Sequence, residues 1–152
     1  MISDTSIPTE RFSYHSLHLS TGLPLLPAGQ QLILDHFTGY SLIIDWERKQ
    51  DQVINAITLT EEELYVAFAL ITSWPSFAPY EKLLMLLSNL PAETPTPSDI
   101  NDARASRTLD QLIAPLTRTV ETCRTKLQAL DLDIREIDQY GYRLIAAQRK
   151  EA

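Results

Sequence analysis

The residues most suited to chemistry lie near the C-terminus. Arg118, Glu121, Thr122, Arg124, Thr125 and Lys126 fall in one stretch of helical pattern, and Arg135, Tyr140 and Arg143 follow in an alternating segment. Guanidinium groups pair with phosphate oxygens or read the O6/N7 edge of guanine, and a glutamate can accept a hydrogen bond from the cytosine amino group. The same residues also admit plainer readings. They form a solvated helix face, or Arg124 is held by a carboxylate of the following strand and Glu121 is simply exposed.

Other chemistries have little to rest on. His15 and His18 face opposite sides if the chain is extended there, and His36 is the one further histidine, so no metal is expected. The pattern G-x-x-x-x-G-K-[ST] is absent, as are G-x-G-x-x-G and G-x-S-x-G, and four glycines leave little for a phosphate-cradling loop. No carboxylate pair stands out. The expectation is a protein without catalytic activity or cofactor. Cys123, the single cysteine, excludes an internal disulfide, falls on an apolar stripe and suits a reducing compartment.

These residues need elements to position them. Phe12 to Leu19, Gln31 to Leu34, Ser41 to Trp46 and Gln52 to Ile57 are short apolar runs broken by turn formers, which predicts strands. Thr60-Glu61-Glu62-Glu63 is a capping box opening a helix with Leu64, Ala67, Phe68 and Ile71 on one stripe, ended by Trp74-Pro75. A second helix starts near Pro79, carries Tyr80, Leu83, Leu84, Leu87 and Leu90, and stops at Pro91. Trp74, Phe77 and Tyr80, at the corner between these helices, read as ordinary packing rather than as a partner patch. Residues 91–106 carry three prolines and no helical stripe, which predicts a long loop of functional type. Arg107 to Ile113 adds a turn of helix. A third main helix runs from Pro115 to about Ala129, burying Leu116, Val120, Cys123 and Leu127. Ile134 to Ile137 and Tyr142 to Ile145 form a hairpin with Asp138-Gln139-Tyr140-Gly141 at its tip. Gly141 is expected to supply a backbone angle that other residues resist, and Tyr142 to pack beneath the hairpin.

In this order the residues resemble a known family, the winged-helix effector domains of OmpR/PhoB-type regulators, including the ToxR-like branch. Three patches carry the resemblance. SLIIDWERKQDQVINAITLTEEEL (41–64) is similar to the family's strands running into its first helix. Tyr80-Glu81-Lys82-Leu83-Leu84 resembles the opening of the second helix. VETCRTKLQALDLDIREIDQYGYRL (120–144) is similar to the recognition helix and wing, and is the most specific of the three. The resemblance implies an α+β fold: a winged helix with an N-terminal antiparallel sheet, three main helices and a C-terminal β-hairpin wing. It places an arm or extra strand in 1–30, the winged helix in 31–146 and a frayed tail in 147–152. It also implies a transcription regulator whose third helix enters the major groove of duplex DNA while the wing meets the adjacent backbone. Arg118, Glu121, Thr122 and Thr125 would then read bases, and Arg124, Lys126, Arg135 and Arg143 would position phosphates, with Tyr140 at the wing tip. The 91–106 loop becomes a candidate contact for RNA polymerase or another regulator.

Charge pulls the other way. The chain has a formal charge of −7 over 152 residues, with 44% hydrophobic and 22% charged content. That is the composition of an ordinary globular domain, not of one held on nucleic acid by bulk positive charge. From 115 to 130, Arg118, Arg124 and Lys126 against Glu121 give +2. From 131 to 144, Arg135 and Arg143 against Asp131, Asp133, Glu136 and Asp138 give −2. The alternative expectation is therefore a protein-interaction module, an adaptor or antagonist of a regulator, that has lost DNA binding. With so few cations, a DNA reader is expected to act as a homodimer or beside a partner. The N-terminus has no basic-then-apolar leader and no run approaches a membrane span, so a cytoplasmic location is expected.

Overall fold

The structure, a computed structural model, describes residues 10–18, 24–47, 52–87 and 97–147. Four strands come first: β1 (Phe12–His15), β2 (Gln30–Asp35), β3 (Tyr40–Asp45) and β4 (Gln52–Thr58). They pair antiparallel in chain order. Tyr14, Ile33, Leu42 and Ala56 stand opposite one another in one row, and His15 stands opposite Leu32, which faces Ile43. Alternation therefore separates a core face (Leu32, Leu34, Ser41, Ile43) from an outer face (Tyr14, Ile33, Leu42, Ala56). β1 is shorter than the apolar run Phe12 to Leu19 suggests, because Leu17 turns into the left-handed region at φ 54°. His15 and His18 thus do not share an extended strand. The arm is in part a true strand, and β2 begins one residue ahead of the expected boundary at 31. Gly39 permits the β2–β3 turn: its φ is +79°, and an added Cβ would sit 2.0 Å from the Leu59 carbonyl oxygen.

Helix α1 (Glu61–Ser73) starts as its capping box dictates. The Glu63 amide donates to Thr60 Oγ1 at 3.3 Å, and the Thr60 amide donates to Glu63 Oε1 at 2.8 Å. Leu64, Ala67, Phe68 and Ile71 are buried, and so are Val66, Ala69 and Leu70. A helix covered on nearly all sides is central, and α1 packs against both α2 (Tyr80–Leu87) and α5 (Ala114–Leu127). Tyr80, Leu83 and Leu84 are buried on α2, while Leu90 and Pro91 lie outside the described residues. Tyr80 is core, and Trp74 packs against that core half-buried.

The expected loop at 91–106 is corrected by α3 (Pro97–Ser106), with residues 91–96 outside the described set. Pro97 stands at the first helical position, where its missing N–H costs nothing, and Ile100 and Ala103 are buried one turn apart. Those two small apolar contacts, rather than a broad stripe, hold the helix down. A single turn, α4 (Leu109–Leu112), follows. On α5, Leu116, Val120, Cys123 and Leu127 are buried as the spacing predicts. The chain then passes through a 3-10 turn (Gln128–Leu130) and Asp131, at φ 60°, into the hairpin of β6 (Leu132–Ile137) and β7 (Gly141–Ala146). A two-residue strand, β5 (Ala78–Pro79), adds to β7 and makes a second sheet in the order β5-β7-β6. Among the described residues the fold is thus α+β, with a four-stranded antiparallel sheet, five α-helices and a C-terminal hairpin.

Gly141 is needed for closeness rather than for an unusual angle. Its φ is not positive, but a Cβ there would meet the Ala78 carbonyl oxygen at 2.0 Å and Pro79 Cα at 2.9 Å. The left-handed residue of the tip is Gln139, at φ 69°.

Candidate nucleic-acid interface

Helix α5 begins with Pro115 in its first turn and ends with Arg124 and Lys126 near its negative pole. With one face buried through Leu116, Val120, Cys123 and Leu127, the opposite face is set by the 3.6-residue repeat. It carries Arg118, Glu121, Thr122 and Thr125, all exposed. Arg118 and Glu121 stand three residues apart, so this face has no net charge. The threonine hydroxyls turn inward along the helix: Thr122 Oγ1 donates to the Thr119 carbonyl and Thr125 Oγ1 to the Glu121 carbonyl, each at 3.0 Å. Their oxygens remain free to accept.

Arg124 and Lys126 occupy the flanks of that face, and each meets a carboxylate. Arg124 Nε donates to Asp133 Oδ1 at 2.6 Å, tying α5 to β6. Burial works to raise the Asp133 pKa. Hydrogen bonds from Arg124, the Ile134 amide and Gln128 outweigh it and leave the group below its usual range. Lys126 Nζ donates to Glu63 Oε1 at 2.5 Å. Glu63 is only 3% exposed. Burial again works upward there, and hydrogen bonds from Lys126 and the Thr60 amide bring its pKa below normal. The same carboxylate therefore caps α1 and clamps α5.

The hairpin sorts its charges by face. Arg135 and Arg143 stand directly opposite each other, both exposed, with no acidic partner among the described residues. Glu136 stands opposite Tyr142 on the other face and accepts from the Tyr80 hydroxyl at 3.3 Å. Tyr142 is buried edge-on to Tyr80, with ring centroids 5.7 Å apart. Asp138 borders a cleft of about 320 Å³ with Arg104, Arg107 and Asp110. Four acids against two arginines thus become, on the outer face, two arginines and one paired aspartate.

Tyr140 is held from behind. Arg104 of α3 stacks over its ring at 4.7 Å, donates from Nε to the Gln139 carbonyl at 2.8 Å, and lies 3.8 Å from Glu81. The Tyr80 amide donates to the Tyr140 carbonyl at 2.9 Å. Arg104 is the residue that the sequence reading missed. Its one visible signal is Pro97 followed by Ile100 and Ala103.

Cys123 is fully buried; burial and the Glu63 charge push its thiol up to about 12, which makes it unreactive. His15 and His36 share the Ser13 hydroxyl at 2.8 and 2.7 Å, and both meet Phe68 edge-on. Among the described residues no group of three or more His, Cys, Asp or Glu is placed to hold a metal ion, and no helix is long and apolar enough to cross a membrane. Compared with family models, curated proteins and solved structures, the chain has no match.

Proposed function

We propose that this chain is a winged-helix module that binds duplex DNA as a cytoplasmic transcription regulator, without catalytic activity. Helix α5 lies in the major groove and the β6–β7 hairpin is the wing on the adjacent backbone. The observation that carries this reading is the sorting of charge. Asp133 is spent on Arg124, Glu136 is turned toward Tyr80, and Arg135 and Arg143 are left opposite each other with no acidic partner among the described residues. Like charges directly opposite on a hairpin are unfavourable, and a bound phosphate relieves that cost. Arg118 is the base-reading cation, while Arg124 and Lys126 act as struts that fix α5. Selection from random duplex pools at roughly 50 and 200 mM salt tests this, because phosphate contacts weaken steeply with salt. An enriched motif that disappears with Arg118→Ala supports the reading, and no retention at the lower salt overturns it.

One observation favours a second reading, a protein-interaction module. The outward face of α5 balances Arg118 with Glu121, on a chain of net charge −7. That reading requires a partner that stays bound after nuclease treatment. If every co-purifying species is lost with nuclease, it fails.

A further inference from the structure

The outer face of the four-stranded sheet is apolar and, among the described residues, carries no uncompensated charge. Phe12, Tyr14, Tyr40, Trp46 and Val53 are each 40–57% exposed. Ile33, Leu42 and Ile44 lie half-buried between them. Trp46 is fixed on this side by a hydrogen bond from Nε1 to Gln31 Oε1 at 2.9 Å. The ionised strand residue on this face is Asp35. It is neutralised by Arg11 at 2.9 Å and further satisfied by Thr38 and the Phe37 amide. Among the described residues, no helix covers this side. A contiguous apolar sheet face rimmed by tyrosine and tryptophan is the composition of an interaction surface.

We propose that this face is a self-association surface on which a second copy of the chain docks sheet to sheet about a two-fold axis. Charge limits the occupant. The surface itself is neutral on a chain of net charge −7, so whatever covers it is neutral and apolar as well. A second copy of the same face meets that requirement by construction. Shape points the same way. The central row runs Tyr14, Ile33, Leu42, Ala56 from β1 to β4, from the largest side chain to the smallest. A two-fold axis parallel to the strands places β1 of one copy over β4 of the other, so each Tyr14 lies against the partner copy's small Ala56 edge. Two twisted sheets then pack about 10 Å apart with their strands aligned. Four strands about 4.8 Å apart and five or six residues long offer a footprint of roughly 350 Å² per copy. A stable complex buries about 800 Å² per partner, so the dimer is weak and reversible.

Sedimentation equilibrium of the full chain, without nucleic acid, tests this between roughly 10 and 500 µM, a range in which weak association is visible. The wild-type average mass is expected to rise toward twice the monomer, with a blue shift of Trp46 emission that Trp46→Phe abolishes. Tyr14→Glu alone and Ala56→Arg alone are expected to stay monomeric. The double variant is expected to regain the dimer, because each new glutamate faces a new arginine across the axis. Thermal melts of dilute samples show whether each variant is folded. A wild-type chain that stays monomeric throughout overturns the proposal, as does association that survives Tyr14→Glu in a folded protein. Because DNA is absent, this outcome is independent of duplex binding.

Discussion

The two sheets treat their outward faces in opposite ways. In the four-stranded sheet the outward rows hold tyrosine, tryptophan and aliphatic side chains, and the charged Asp35 is closed off by Arg11. In the three-stranded sheet the outward pair Arg135 and Arg143 has no acidic partner among the described residues, while Glu136 faces the Tyr80 hydroxyl on the inner side. One sheet hides charge and exposes apolar area; the other gathers like charge on its outward face. Net charge along the chain is therefore a poor guide to what either surface binds, because pairing and strand alternation decide which charges face outward.

The largest expected effect breaks one sheet and spares the other. Gly141→Ala drives a Cβ into the Ala78 carbonyl, backbone against backbone, where no rotamer change helps. A loss of about 3 kcal/mol in urea unfolding is expected, with the β5–β7 amides losing protection before those of β2 and β3. Glu63→Ala acts between the sheets, at the cap of α1 and the clamp on Lys126. It is expected to cost about 2 kcal/mol in the same measurement, since both a capping arm and a partly buried ion pair are lost.

Acidity separates the two sheets. Burial, with the nearby His36, lowers the His15 pKa from 6.5 to about 4. Between those values the unfolded chain takes up a proton that the folded chain refuses, so stability falls as pH drops through that window. The carboxylates beside the hairpin respond lower. Asp133 and Glu63 have folded pKa values below their ordinary 3.8 and 4.5, so their contribution is intact above those values and is lost only as pH falls through the folded ones. Melting temperature is expected to drop by a few degrees from pH 7 to pH 5, and His15→Asn should flatten that drop. An unchanged slope in the variant would remove His15 as the cause.

The smallest effect on stability comes with a clear effect on binding. Arg135→Thr relieves the cross-strand repulsion and is expected to raise stability by a few tenths of a kcal/mol. If the outer face of the hairpin holds phosphate, the same change lowers the salt-dependence slope of duplex binding by about 0.9. A slope equal to wild type would assign the arginine pair to something other than DNA.

Much of the C-terminal half was legible in the sequence because its signals are local and periodic. Thr60 and Glu63 sit three apart, Leu116, Val120, Cys123 and Leu127 repeat at helical spacing, and Ile134 to Ile137 alternate. What the sequence hid is what depends on distant pairing. A carboxylate of the following strand is one reading of Arg124, and Asp133 fills it, but nothing near Lys126 announces Glu63, sixty-three positions away. Helix α3 escaped because Ile100 and Ala103 are too small a stripe to stand out beside three prolines. At Gly141 the sequence suggests an unusual backbone angle where the structure needs closeness, because a close approach of two backbones leaves no mark on either segment alone.

The hold of Arg104 on the hairpin tip has a kinetic consequence. A free β-turn samples many shapes, and any partner must wait for, or work to select, the fitting one. Here the Gln139 carbonyl and the Tyr140 ring are already fixed by one side chain from α3, and the Tyr140 carbonyl by the Tyr80 amide. The tip meets a partner with its conformational entropy largely surrendered during folding, so little is lost on contact. Whatever the hairpin binds, loosening this hold is expected to slow productive encounters more than it weakens the contacts themselves.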